Sequence, residues 1–171
     1  MPEADSTGNE VFLGLGSNLP YREKDCRVIL EEACAELEQT LRRLRRSSFY
    51  RTEPVGVKDQ NFFINCAVTG FFDGNPYRLL EIIQQIEASY GRNRANERRW
   101  GERTLDIDIL LFGNMVLYEE PLLIIPHAEL NKRRFALEPL CEISPEKTDP
   151  QSGQSYSSIC EALPDQGVIR L

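Results

Sequence analysis

Residues 104–112, TLDIDILLF, restrict the possible folds more than any other stretch of the chain. Apolar side chains at alternate positions demand a strand, because a period of two sends Leu105, Ile107, Ile109 and Leu111 to one face. The same period sends Asp106 and Asp108 to the other face, with Cβ atoms roughly 6–7 Å apart. A sheet built on this strand buries one side and leaves two parallel carboxylates on the other. Two such groups repel unless a cation lies between them, and oxygen ligands of this kind suit Mg²⁺. The plainer alternative is a solvated strand face that carries two charges.

The rest of the chain supplies partners for that strand. VFLGLGS (11–17) is a short apolar run that reads as a first strand. Residues 22–41 set Cys26, Leu30, Cys34, Leu37 and Leu41 at helical spacing, and SSFYRTEPVG (47–56) is extended in character. NFFINCAVTGFF (61–72) alternates, with Phe62, Ile64, Cys66 and Val68 on one side and Phe63, Asn65, Ala67 and Thr69 on the other. GNPYRLLEIIQQIEASYG (74–91) predicts a helix capped by Asn75, with Pro76 at N1 and Gly91 at its end. Its apolar stripe is Leu79, Ile82, Ile83, Ile86 and Tyr90. The order βαββαβ is that of the ferredoxin-like α+β class, an antiparallel sheet with helices on one face. An accessory hairpin (114–125), a short helix around Pro139 and another over 155–163 complete the prediction.

At 171 residues the chain is expected to form a single domain over 11–171, preceded by a loose polar tail over 1–10. A net charge of −7 argues against general nucleic-acid binding, so any bound anion must be drawn in by a local basic cluster. Five scattered cysteines without a CxxC pattern read as reduced core thiols and not as a zinc site. No apolar run reaches membrane-spanning length and no signal peptide opens the chain, so a cytoplasmic protein with no membrane partner is expected.

The basic cluster lies directly before the aspartates. GRNRANERRWGER (91–103) holds Arg92, Arg94, Arg98, Arg99 and Arg103 against Glu97 and Glu102, a local charge of +3. Guanidinium forks bind phosphate oxygens and an Asp-held Mg²⁺ bridges them, so together they describe a site for a polyphosphate with its metal. Phe63 and Asn65, an aromatic ring beside an amide, suit a flat hydrogen-bonding heterocycle, or are ordinary half-buried strand positions. GLGSN (14–18) has some likeness to a phosphate loop, although GxG without a third glycine also fits a tight turn. His127, the only histidine, carries little weight alone.

Taken together, these stretches resemble the 6-hydroxymethyl-7,8-dihydropterin pyrophosphokinase family from about Val11 to Leu140. The resemblance rests on GLGSNL, SSFYRTEPVG, DQNFFIN, the Q-x-x-E of QQIE, RWGERTLDIDILLFG, and PH followed by RRFALEPL. It implies transfer of pyrophosphate from ATP to the hydroxymethyl oxygen of the dihydropterin, with release of AMP, in folate biosynthesis. It further implies two Mg²⁺ ions on Asp106 and Asp108, and charge neutralisation on the transferring group by Arg92 and Arg103. ATP contacts fall on Gln84, Glu87, Arg94, Arg99, Trp100, Ile109, His127 and Arg133. The pterin falls on Thr52, Val55, Phe63, Asn65, Trp100, Asp106 and Phe135, stacked between the two phenylalanines, with Trp100 closing over the site.

Three departures from the family pattern stand out. Phe63 replaces a tyrosine found in some members, and the arginine loop is one residue longer, which leaves Arg98 and Arg99 as rivals for one contact. YEEPLLIIPHAE (118–129) lacks an arginine and a hydroxyl residue that some members place near the nucleotide. The expected form is a standalone monomer acting on small molecules. Alternatives are a metal-dependent nucleotidyl- or glycosyltransferase, a ferredoxin-like binding module, and a pterin binder that has lost catalysis. The first releases pyrophosphate or a nucleoside diphosphate instead of AMP. The second lacks an RNP-type pattern, and the third is disfavoured by retention of both aspartates and both arginines.

Overall fold

The computed structural model describes residues 8–54, 59–97 and 101–171. In chain order these form β1 (Asn9–Ser17), α1 (Cys26–Leu37), β2 (Arg42–Arg46), β3 (Tyr50–Thr52), β4 (Phe63–Phe72), α2 (Pro76–Ser89) and β5 (Asp106–Phe112). The accessory part comprises β6 (Leu117–Glu119), β7 (Leu123–Ile125), α3 (Arg134–Ile143), α4 (Tyr156–Ala162) and β8 (Ile169–Arg170). The main sheet runs β5-β1-β4-β3-β8, with β2 also paired to β4, and every pairing is antiparallel. With α1 and α2 as crossovers, its order reproduces the split βαβ arrangement expected of βαββαβ.

Local chemistry explains the boundaries. Asn75 accepts the Arg78 N–H to cap α2, Pro76 occupies its first turn, and Gly91 follows its end at φ +78°. Helix α1 is shorter than the predicted 22–41. A tight turn that bridges Tyr21 and Lys24 takes up its first residues, and Asp25 caps it by accepting the Val28 N–H. Beyond Leu37 the chain turns and pairs with β4 as β2, an arginine-rich strand the pattern did not predict. β1 begins at Asn9, two residues inside the expected tail; residues 1–7 lie outside the described residues.

The largest correction concerns layering. Helices cover both faces of the sheet, not one. Beneath α1 and α2 lies a core of Leu13, Leu15, Ile29, Leu30, Leu79, Ile83, Ile107 and Ile109. On the opposite face α3 and α4 enclose a second core of Phe12, Leu110, Leu111, Leu137, Leu140 and Tyr156. A β-bulge divides the strand between them: Leu13 pairs with Ile109 but Phe12 pairs with Leu111, so Leu110 is an extra residue in β5. The bulge resets the alternation. Leu111, predicted to lie with Ile107 and Ile109, packs in the second core, and Phe112 takes the first.

The second core makes α3 part of one cooperative structure. Leu137→Ala, at a fully buried position, is expected to cost about 2–5 kcal/mol. Urea unfolding followed by both circular dichroism and fluorescence should give one coincident transition at a lower midpoint. Two separated transitions would mean that the C-terminal helices unfold independently.

Candidate active site

Because α3 covers only part of its face, the remainder is a cleft of about 590 Å³. Its floor is a row of cross-strand neighbours. Asp106 and Asp108 of β5 lie opposite Gly16 and Gly14 of β1, which in turn lie opposite Asn65 and Ala67 of β4. GLGSN is therefore neither a phosphate loop nor a turn at its glycines, which lie inside a strand. Their value is the side chain they lack. A Cβ on Gly16 would stand 2.6 Å from the Asn65 carboxamide oxygen, and one on Gly14 would press on Leu110 at 3.4 Å. The glycines keep the floor low between the aspartates and the amide.

The walls come from separate elements. Thr52 at the end of β3 accepts a 2.8 Å hydrogen bond from Asn65 Nδ2 and is itself buried, which fixes the amide's orientation. Phe63 opens the β4 edge of the cleft, and Phe135, in the first turn of α3, faces it from the other wall. Arg133 stands beside Phe135, with its guanidinium 5.7 Å from the ring centre. His127 closes the β5 side, its Nε2 3.7 Å from an oxygen of Asp108. Its Nδ1 accepts the Glu129 N–H, so the neutral ring carries its proton on Nε2 and points a donor at Asp108. Burial and the charge of Arg133 hold His127 below its ordinary pKa and keep it neutral.

The arginines do not stand free beside the aspartates. Arg92 Nη1 donates to Asp106 at 2.6 Å and to Glu87, its Nε donates to Glu97 at 3.0 Å, and its side chain is almost wholly buried. Arg103 Nη1 donates to the other Asp106 oxygen at 3.0 Å. Arg94 donates to Glu87 at 2.6 Å while remaining half exposed at the rim. Three guanidiniums, those of Arg92, Arg94 and Arg103, thus face three carboxylates, with Glu87 of α2 and Asp106 of β5 added to Glu97 of the loop. Burial pushes Asp106 up, but Arg92 and Arg103 more than offset it and hold its carboxyl below the usual range. Burial and the neighbouring Asp106 push Asp108 the other way, upward. The pair is thus asymmetric: one carboxylate is clamped by two guanidiniums, and the other faces the cleft with the His127 ring 3.7 Å away.

Most of the expected site residues converge here. Thr52, Phe63, Asn65, Arg92, Arg94, Arg103, Asp106, Asp108, His127, Arg133 and Phe135 all line the cleft. Three others do not. Gln84 is exposed on α2, and Ile109 points its side chain into the core under the helices. Glu87 is 1 % exposed behind Arg92, where it also accepts the Ile107 N–H at 2.8 Å; it supports the site from beneath. Burial pushes Glu87 up, with Arg92 and Arg94 drawing it back. Val55, Arg98, Arg99 and Trp100 lie outside the described residues, as does the rivalry between the two arginines.

The sequence reading missed two contributors. Glu97, counted only as a charge opposing the arginines, holds Arg92 directly. Asn18, the last residue of GLGSN, is fully buried. Its Oδ1 accepts the Arg103 N–H at 2.8 Å, while its Nδ2 donates to Gln60 at 3.2 Å and to the Asn61 carbonyl at 3.1 Å. It ties the segment carrying Arg103 to the segment leading into Phe63. The available signal was an asparagine directly after an apolar strand, a residue whose amide bonds backbone on both sides of a turn.

The 7,8-dihydro-6-hydroxymethylpterin-pyrophosphokinase (HPPK) family model matches residues 12–145. A Haemophilus influenzae 2-amino-4-hydroxy-6-hydroxymethyldihydropteridine pyrophosphokinase is 37% identical over 160 residues, covering 94% of this chain and 96% of that protein. A protein of the same name from Bacillus subtilis is 45% identical over 137 residues, covering 79% of this chain and 78% of that one. Among solved structures, wild-type Plasmodium falciparum HPPK-DHPS aligns with a TM-score of 0.69 at 17% identity, covering 90% of this chain and 44% of that one. An HPPK-DHPS structure in complex with substrates aligns with a TM-score of 0.70 at 18% identity, covering 92% of this chain and 43% of that one. The chain spans less than half the length of those two solved chains, and at such identity they bear on the fold alone.

The Asn18 tie can be tested without any ligand. Asn18→Ala removes the part-buried bonds to the Arg103 N–H and the Asn61 C=O, at an expected cost of about 0.5–1.5 kcal/mol each. Hydrogen exchange should quicken at the Arg103 amide more than in the strands. Unchanged exchange there would mean that the side chain does not hold it.

Proposed function

The chain belongs to the 7,8-dihydro-6-hydroxymethylpterin-pyrophosphokinase family, and from that premise we propose how its cleft performs the reaction. The activity is ATP-dependent pyrophosphorylation of the hydroxymethyl group of 6-hydroxymethyl-7,8-dihydropterin in folate synthesis. Moving two phosphoryl units together requires the hydroxymethyl oxygen to attack the β-phosphorus of ATP. The bond from that phosphorus to the α,β-bridging oxygen breaks, AMP departs, and the hydroxyl gives up its proton.

In our reading the pterin ring lies between Phe63 and Phe135, with its polar edge on Asn65 and Thr52. The hydrogen bond that Asn65 gives Thr52 fixes which amide atoms face the ring. Arg94, Arg133 and His127 border the nucleotide, the last through its Nε2 proton. Gln84 has no part in this reading, and Glu87 acts as a positioning residue for Arg92.

Asp106 and Asp108 are the groups that would hold Mg²⁺. The donor set fits: two carboxylates on one strand face, with no third His, Cys, Asp or Glu grouped to complete a cage among the described residues. That is the pattern for an ion that takes its remaining ligands from water and substrate phosphates. Bound there, Mg²⁺ would supply charge neutralisation for phosphate oxygens, at a place on the floor set by the two aspartates. Arg103, whose buried Nε makes no hydrogen bond among the described residues and has Glu97 3.7 Å away, supplies a second positive edge to the transferring group. Arg92 serves the same group by exchanging one of its carboxylate partners for a phosphate oxygen.

The observation that carries this reading is the floor itself: two aspartates, two glycines and one oriented amide in a single cross-strand row. We further propose a cytoplasmic monomer with one functional domain over 11–171, whose first strand reaches back to Asn9.

Incubation with ATP, Mg²⁺ and the reduced hydroxymethylpterin should yield AMP in step with the pterin diphosphate. ADP as the product would reject the assignment. Asp106→Ala and Asp108→Ala should each abolish measurable turnover, and near-normal activity in either would remove the metal role. Arg103→Ala is expected to slow kcat about 10²–10³-fold with a much smaller change in pterin affinity; an unchanged kcat would rule out charge stabilisation by that side chain.

A further inference from the structure

The last nine residues lie beyond the part of the chain that matches the family model, yet they join the two walls of the cleft. Helix α3 starts at Arg134, and Arg133, its N-cap residue, makes no side-chain cap bond. The cap comes from elsewhere. Gln166 Oε1 accepts the Arg134 N–H at 2.9 Å, satisfying a first-turn donor that the helix itself leaves unpaired. Gln166 Nε2 donates to the Lys132 carbonyl, also at 2.9 Å. The two bonds grip the backbone on either side of Arg133, directly before Phe135.

The same segment then crosses to the other wall. Gly167 lies against Glu53, which borders the cleft next to Thr52. Ile169 and Arg170 pair with Arg51 and Tyr50 of β3, and the Leu171 N–H donates to the Phe49 carbonyl at 2.9 Å. At its near end the Leu163 carbonyl accepts from the Arg134 guanidinium at 2.9 Å, drawing that side chain away from the cleft. The strap is thus anchored to β3 by main-chain bonds and to the α3 wall through side chains, those of Gln166 and Arg134.

We infer that Gln166 is a positioning residue for substrate binding: it holds the Arg133–Phe135 wall at the distance from β3 and β4 that admits the pterin ring. The inference rests on the reading of the cleft given above. It requires no contact between Gln166 and substrate. A wall that drifts loses affinity for the ring in ground state and transition state alike, so its loss appears in KM and not in kcat.

Steady-state kinetics on the full chain provide the test. Gln166→Ala should raise the KM for the hydroxymethyldihydropterin about five- to tenfold, with kcat within about twofold of the parent. Arg170→Ala serves as the control: it lies on the same strap but bonds Ser48 and reaches Glu142, at the opposite end of α3 from Arg133 and Phe135. It should leave that KM unchanged. An unaltered KM in Gln166→Ala, a fall in kcat alone, or an equal rise in Arg170→Ala would overturn the inference. If the parent chain forms no AMP, it is the underlying functional reading that fails.

Discussion

A carboxylate on the floor of a half-buried cleft must be paired, and the pairing of Asp106 organises this structure. Arg92 and Arg103 take one oxygen each. Arg92 is in turn held by Glu87 from α2 and Glu97 from the loop, and Glu87 also accepts the Ile107 N–H of the strand that carries Asp106. Helix, loop and strand are thereby tied by charge-assisted bonds at one point, where a buried ion left alone would cost several kcal/mol. In the proposed reaction the same network stores positive charge beside the phosphates without repulsion between arginines beforehand.

Two absences of bulk complete the site. Gly14 and Gly16 remove side chains from the middle strand, so that a ligand can lie across the floor from Asp106 to Asn65. The bulge at Leu110 ends the cleft on the other side, because it brings Leu110 and Leu111 into the second core instead of continuing the polar row. Both features belong to strands, which are stiff and mutually registered. A floor built this way orients groups more firmly than a loop would.

Much of this was legible in the sequence because the signals were periodic. The alternation of 104–112 correctly separated Asp106 and Asp108 from Ile107 and Ile109, and Asn75, Pro76 and Gly91 correctly bounded α2. The reading failed where a local pattern met a non-local partner. A bulge leaves no mark in the alternation of one strand, so Leu111 was given the wrong face. Both accessory helices were legible, but not the face on which they pack, because Ala67 and Thr69 of β4, buried on that side, also suit an exposed strand face. The family resemblance set Glu87 at the nucleotide, and only the fold brings Arg92 and Arg94 back to cover it.

By itself, then, the sequence determined which groups exist in alternation and order: the split βαβ succession, two aspartates leaving the core together, an amide and an aromatic ring on a neighbouring strand, and a run of arginines before them. These follow from backbone periodicity and from short-range capping, which act within a few residues. Tertiary structure decided how those groups are used. Cross-strand register set glycine beside aspartate, a strap from the chain's end fixed the wall that carries Phe135, and Glu87 and Glu97 turned repelling arginines into a neutral cluster. Register and ion pairing depend on distances between segments far apart in the chain, and such distances are fixed only when the packed core brings those segments together.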